Sequence, residues 1–363
     1  MRRINVSRLK TGMELAKPIY ANNGVILLRD GTMLTQNYIE KIQYLQLPYI
    51  YIKDEISEGI EMDEMISDET RVETKRVLVN AILKMQKGNF HVNEEISSKV
   101  EEIITEVLSH PRIMVSLQEI RNKDEYLHMH SINVCVISLL IARKKGYNDT
   151  QMKHLALGAL LHDIGKTRME NNKVLQYREE LEEADFNEYT DHVRIGYEII
   201  KSIPNSSLLA ANIALTHHEK YDGTGFPLGK KNDSIHEFAR IVAVANEYDN
   251  LVYNLSRKNT LRHYEVIEFM VSKAYSWFDP EIIRIFRSSI SPYPIGAGVR
   301  LSDQRIGIVS RLNENLPTRP IVRIVNEQQV VIDEIDLSKN LNIMIEDEID
   351  LDSSRENEKV IGE

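Results

Sequence analysis

Apolar positions recur at helical spacing from about residue 70 to about residue 290, and at strand-like alternation on either side of that block. Within the block, Val72, Val77, Val79, Ile82 and Leu83 give partial register to a helix over Arg71–Met85. Helices are predicted over Ile96–Leu108 and Ile113–Ile120, parted by Pro111. The next opens at Asp124 and stops at Gly146, with Ile132, Val136, Leu139 and Leu140 as its apolar side. A helix from Thr150 runs into His162 and Asp163, and Thr190 caps another over Asp191–Ile203, ended by Pro204. Ser206 opens a helix that delivers His217 and His218. A further helix from about Ser234 carries Phe238, Ile241, Val242, Val244 and Ala245. Tyr264–Tyr275 and Pro280–Ile290 read as the last helices, with Trp277, Phe278 and Phe286 packed among them.

The flanks have another texture. Ala21-Asn22-Asn23-Gly24 reads as a hairpin turn between Pro18–Tyr20 and Val25–Leu28. Thr35 caps a short helix with Ile39, Ile42 and Leu45 on one face, and Tyr49–Ile52 closes the module as a strand. Residues 54–70 are acidic and read as a linker. After Pro292-Tyr293-Pro294, strands are expected at Val299–Leu301, Ile306–Val309, Ile321–Val325 and Val330–Ile332. The expected organisation is therefore mainly α. A small α+β domain spans 1–55, an acidic linker and helix 56–96, a helical bundle 97–290, a β-rich module 291–350 and a polar, disordered tail 351–363.

Composition narrows the classes. The 363 residues are 42% hydrophobic and 28% charged, which suits a globular chain with a substantial core. A net charge of −10 argues against long nucleic acids as partners. The longest apolar run, Ile132–Ala142, is too short to span a bilayer, and the opening MRRINVSRLK lacks the apolar stretch of a signal peptide. Cys135 is the lone cysteine, so no disulfide framework or thiolate metal site is expected, and a reducing cytoplasm is.

The candidate chemistry lies at what read as successive helix ends: His130, His162 with Asp163, His192, His217 with His218, and the stretch from Asn246 to Asp249. Taken singly, the His162–Lys166 segment is equally a polar helix end capped by Asp163 and Gly165, and His128 and His154 read as ordinary core or surface residues. Taken together, several imidazoles and a carboxylate without sulfur favour Fe, Mn or Zn over Ca or Mg. The ligands exceed one tetrahedral site, which suggests two ions able to clamp a phosphate ester.

In this order the residues resemble the HD-GYP family, helical HD-superfamily phosphodiesterases that open cyclic di-GMP. The resemblance covers roughly residues 97–290. It rests on Tyr126, His130 and Ser131, on HDIGK (His162–Lys166), on His192 with Gly196, on HHEKYDGTGFP (His217–Pro227) and on ARIVAVANEYDNL (Ala239–Leu251). It implies an HD-superfamily bundle whose His130, His162, Asp163, His192, His217, His218 and Asn246 hold two divalent ions, Fe or Mn with Zn as the further option. Asp163 would bridge them, and Lys166 would meet the scissile phosphate and assist the leaving oxygen. Asp222, Gly223, Thr224 and Gly225 would shape the substrate site, with Arg257 or Lys258 as basic contacts. The implied reaction is attack by a metal-bridging hydroxide on cyclic di-GMP, giving pGpG and then GMP. A homodimer or a signalling-protein partner is in keeping with the family.

The chain departs from the family pattern at several places. Asn246 stands where the family has a carboxylate, Phe226 where it has the Tyr of its name, and Tyr126 where some members carry a third-metal Glu. Leu255 stands where an Arg is expected, and the segment between Lys166 and His192 lacks the usual Pro-bearing lead-in. Two alternatives follow: a degenerate member that binds cyclic di-GMP or a protein without hydrolysis, and another HD-type nucleotide phosphohydrolase, against which the DGTGFP loop counts.

Overall fold

The computed structural model describes residues 1–20, 26–45, 47, 49–61, 64–110, 126–169, 183–253, 262–313 and 316–351. The Ala21–Gly24 turn, the helix at Ile113–Ile120, the start at Asp124 and the polar tail beyond Leu351 lie outside these residues. The chain divides into two compact units. Met1–Glu64 and the chain from Ile290 form one; most of Met65–Ser289 forms the other.

In the terminal unit, β1 (Arg2–Asn5), β2 (Glu14–Leu15) and β5 (Tyr49–Lys53) make an antiparallel sheet in the order β1-β5-β2. Beside it β3 (Ile19–Tyr20) pairs with β4 (Ile26–Leu28). Helix α1 (Gln36–Tyr44) is capped by Thr35, whose hydroxyl accepts from Tyr38 N at 3.4 Å, and Ile39 and Ile42 join Ile4, Ile50 and Ile52 in the core. A second sheet holds β6 (Gly298–Leu301), β7 (Ile306–Arg311), β8 (Ile321–Val325), β9 (Val331–Asp336) and β10 (Ile345–Ile349), in the order β10-β6-β7-β8-β9. Sequence reading missed β10 because three of its five residues are acidic. Glu348 is nonetheless buried there, since Arg3 forms an ion pair with it.

The acidic segment after Asp54 is not simply solvated. Ile56 and Ile60 are buried in a cluster with Ile295, Ile308 and Val325, and Arg323 Nη1 donates to the carbonyls of Ile56 (2.9 Å) and Glu58 (2.6 Å). Its charges conceal a sparse apolar set.

The helical unit comprises α2 (Asp68–Gln86), α3 (Asn93–Ser109), α4 (Tyr126–Lys145), α5 (Asp149–Leu161), α6 (Glu183–Ser202), α7 (Leu208–Thr216), α8 (Glu237–Tyr253), α9 (His263–Ser272) and α10 (Pro280–Arg287). Helix α4 is its axis, packed against α5 and α8 and also against α2, α3 and α10. Its expected apolar side does not exist as a side: Ile132, Val134, Cys135, Val136, Ile137, Leu139, Leu140, Ile141 and Ala142 are all buried, as befits a helix surrounded on every face. A cavity cut there, as by Leu139→Ala, costs about 2–5 kcal/mol.

Helix α2 turns the other way from expectation. It buries Arg71, Thr74, Lys75, Leu78, Ala81 and Met85 and leaves the predicted valine register half-exposed. Capping also differs in detail. Asn148 with Gln151 forms the capping box of α5, Ser207 caps α7, and Thr190 lies inside α6, which begins well before it. Close packing positions the site. A Cβ on Gly158 would meet Ile213 Cδ1 at 2.2 Å, so α5 and α7 approach through that glycine.

Candidate metal centre

Asp163 sits at the middle of the helical unit, 1% exposed, just past the end of α5. His162 is the residue that ends α5, and His217 ends α7. The other members do not lie at helix ends as the sequence suggested: His130, His192, Asn246 and Asp249 are interior residues of α4, α6 and α8. Each still reaches the same spot because α4, α5, α6, α7 and α8 pack pairwise around it.

The imidazoles are oriented by the backbone. His162 Nδ1 donates to Ala159 O (2.7 Å), His192 Nδ1 to Tyr189 O (2.5 Å) and His217 Nδ1 to Ala214 O (3.0 Å). Ala159 and Ala214 lie in the last turns of their helices, where carbonyls lack intrahelical partners. Fixing the proton on Nδ1 leaves Nε2 as a lone pair, the tautomer a metal takes. His162, His192, His217 and His218 each have a buried Nε2 with no hydrogen-bond partner among the described residues, and so does Asp163 Oδ1. Unpaired buried polar atoms are costly, and five of them converging make a donor set that fits an ion. Burial keeps His192 and His218 below the ordinary imidazole range and pushes His217 down to about 3, so these rings are neutral at physiological pH.

Asp163 is shared by two groups. Asp163, His192, His217 and His218 form one set of converging ligand atoms, and His130, His162 and Asp163 form another, with the atoms of each set within 4.8 Å of one another. Asp163 Oδ1 lies 3.4 Å from His192 Nε2 and 3.5 Å from His217 Nε2. Oδ2 lies 3.4 Å from His162 Nε2 and 3.6 Å from His130 Nε2. The residues therefore fit a metal ion at this centre, with the Asp163 carboxylate facing an imidazole group on either side.

Lys166 Nζ donates to Asp163 Oδ2 at 2.6 Å and lies 5.4 Å from the centre of the Tyr189 ring. Burial alone would raise the Asp163 pKa, but the Lys166 ammonium and the neighbouring His162 hold it well below the carboxylate range. Burial alone would lower Lys166, and Asp163 reverses that, so the lysine is a buried, charged donor.

His130 is held differently. Its Nδ1 meets Asp249 Oδ2 at 2.7 Å, and its Nε2 meets Asn246 Oδ1 at 2.9 Å. Asn133 Nδ2 donates to the other Asp249 oxygen (2.9 Å), and Arg71 Nη1 donates to Asn133 Oδ1 (3.0 Å). This chain of polar contacts accounts for the buried Arg71 on α2. Sequence reading missed Asn133, which sits in an apolar helix, and Arg71 and Tyr189, which sit in polar stretches, because none carries a label of its contacts.

The glycine-rich loop is built around two contacts. Phe226 stacks on His218 with ring centres 4.7 Å apart and planes 16° from parallel. Buried Glu219 accepts from Leu228 N (2.7 Å) and Lys230 N (3.0 Å). Gly225 has no room for a side chain, since a Cβ would lie 2.2 Å from Lys220 N. Of the predicted substrate residues, Asp222 and Thr224 are exposed, with Asp222 Oδ1 accepting from Thr224 N and Oγ1 (2.9 and 2.7 Å), Gly223 turns between them at positive φ, and Gly225 follows. Arg257 and Lys258 lie outside the described residues. The structure thus brings together His130, His162, Asp163, Lys166, His192, His217, His218 and Asn246.

Residues 106–282 match the family described as HD domain, and residues 298–357 match the KOW domain associated with HD domain. Over 250 residues the chain is 31% identical to a cyclic di-GMP phosphodiesterase of Pseudomonas aeruginosa, covering 69% of this chain and 60% of that protein. Over 195 residues it is 33% identical to a cyclic di-GMP phosphodiesterase of Thermotoga maritima, covering 53% and 51%. The chain thus spans about half to three-fifths of the length of these relatives. A solved HDG"Y"P protein from Bdellovibrio bacteriovorus shares the fold, with a TM-score of 0.51 at 18% identity over 78% of this chain and 97% of that one. No helix among the described residues is long and apolar enough to cross a membrane.

Proposed function

We propose, on the premise that residues 106–282 are an HD domain, that the protein is a metal-dependent phosphodiesterase of cyclic dinucleotides, with cyclic di-GMP as substrate and pGpG, then GMP, as products. The observation that carries this reading is Asp163, placed between two imidazole groups with Lys166 at 2.6 Å. The ligands would be His192, His217, His218 and Asp163 for one divalent ion and His130, His162 and Asp163 for a second. Nitrogen and carboxylate donors suit Fe or Mn, with Zn as the further option. Ions bound here supply Lewis acidity to a phosphodiester and acidify water.

The protein's own groups supply the rest. Lys166, charged and out of water, is placed to neutralise a phosphate oxygen and to give a proton to the departing ribose oxygen as the P–O bond breaks. Water contributes the oxygen that joins phosphorus, and its proton balances the one Lys166 gives up. The loop from Asp222 to Gly225 borders the site through Phe226 and His218 and offers backbone N–H groups to substrate. Arg257 and Lys258 are proposed as basic contacts on sequence grounds. We place the accessory modules at 1–55 and 291–350.

An anaerobic assay of Fe(II)- or Mn(II)-loaded protein with cyclic di-GMP tests this. Wild type is expected to release pGpG or GMP, with Lys166→Ala slower by about 10²-fold or more. Absence of product from both wild type and Asn246→Asp would overturn hydrolysis. The neutral Asn246 amide against His130 Nε2 favours the second reading, a receptor that binds cyclic di-GMP without cleaving it. Tight binding without turnover would be its signature.

A further inference from the structure

The two ligand groups around Asp163 are not equally available. In the group of Asp163, His192, His217 and His218, the acceptors Oδ1 and all three Nε2 atoms have no hydrogen-bond partner among the described residues. In the group of His130, His162 and Asp163, only His162 Nε2 is in that condition. His130 Nε2 is taken by the Asn246 amide (2.9 Å), and Asp163 Oδ2 by Lys166 Nζ (2.6 Å). With Nδ1–H donated to Asp249 Oδ2, the neutral ring leaves Nε2 as a lone pair, and the near-isosteric Asn246 amide meets it with its N–H. That lone pair reaches an ion only after this contact breaks. The contact is well held: Asp249 fixes the far side of the His130 ring at 2.7 Å, and Asn246 is 2% exposed.

We infer that the centre loads in order. A first ion is held tightly by Asp163, His192, His217 and His218, and Asn246 acts as a lock on His130 that keeps the second position weak. This rests on the metal-centre reading above and adds that Asn246 competes with the second ion rather than ligating it. The two roles for Asn246 make opposite predictions. A lock that is removed tightens the second ion; a ligand that is removed weakens it.

The test is a Mn(II) titration of the chelator-stripped 363-residue chain. Free ion is followed by its electron paramagnetic resonance signal, and retained metal is counted after dialysis at set free Mn(II). Wild type is expected to hold one equivalent and to take the second only at free Mn(II) about 100-fold higher, with the spin-coupled signal of a neighbouring pair appearing at that second step. Asn246→Ala is expected to narrow the gap about tenfold or more, within the range by which groups contacting a ligand tune a site. Asn246→Leu, which keeps the volume while offering neither hydrogen bond nor donor atom, should do the same and serves if the alanine variant does not fold. Equal affinity for both ions in wild type would overturn the proposal. So would a second ion weakened or unchanged in these variants. Failure of wild type to retain any ion would overturn the metal-centre reading itself, a distinct result.

Discussion

Gly165→Ala is a perturbation whose size can be worked from the structure. An ideal Cβ at this position lies 1.9 Å from His192 O and 2.8 Å from Gly196 N, both backbone atoms that cannot rotate away. Real Cβ atoms essentially never come under 3.0 Å of another heavy atom, so the turn after Asp163 and helix α6 must separate by about 3.0 − 1.9 = 1.1 Å. Metal sites tolerate ligand displacements of about 0.2 Å, and misplacement by about 1 Å can cost about 10²-fold in rate. Overpacking of this kind costs about 1–3 kcal/mol, or a fall in Tm of roughly 2–12 °C for a domain this size. Gly196→Ala is the contrast. Its Cβ would first meet Gly165 N at 3.4 Å, an ordinary contact, and alanine inside a helix gains up to about 1 kcal/mol over glycine. The assay is retained Mn(II) after dialysis, with Tm by calorimetry, for both variants. Gly165→Ala should lose metal and stability, and Gly196→Ala should keep both. A metal-replete, stable Gly165→Ala, or a Gly196→Ala that is equally damaged, would refute the steric reasoning.

Asp249→Asn keeps the shape but disturbs a carboxylate that accepts from both His130 and Asn133, and metal affinity should fall about 10–100-fold by titration. Glu219→Ala strands the N–H groups of Leu228 and Lys230, so stability should drop by about 1–3 kcal/mol in urea unfolding, and limited proteolysis should shift to the 219–231 loop. His128 is pushed down to about 4 by burial and then by Lys75, below its ordinary 6.5. It therefore contributes stability that is present in full above about pH 6.5 and lost as pH falls from there toward about 4. The loss amounts to up to about 3 kcal/mol, and a His128→Leu variant should show a flatter acid arm in unfolding titrations.

Much of the site was legible because its members are chemically conspicuous. His162-Asp163, His217-His218 and Lys166 announce themselves by type and spacing, and helical periodicity carried the bundle around them. What escaped was set by tertiary contact. The candidate histidines read as helix ends, yet His130 and His192 sit within helices that cross the centre, which no local signal distinguishes from helices that stop there. The buried face of α2 was misread because Arg71 and Lys75 look like solvent-facing residues until Asn133 is seen beside Arg71. Strand β10 was missed because its buried Glu348 depends on Arg3, some 345 positions away. The role of Asn246 could be posed from sequence as a changed ligand, but its contact with His130 Nε2 is visible only in three dimensions.

An anomalous difference map from crystals grown with Mn(II), measured on both sides of the Mn edge, tests the metal centre most directly. A peak is expected bounded by Asp163 Oδ1 and the Nε2 atoms of His192, His217 and His218, with a weaker neighbour beside His130 and His162 only at high Mn(II). A map without a peak at Asp163, or with its main peak elsewhere, would contradict it.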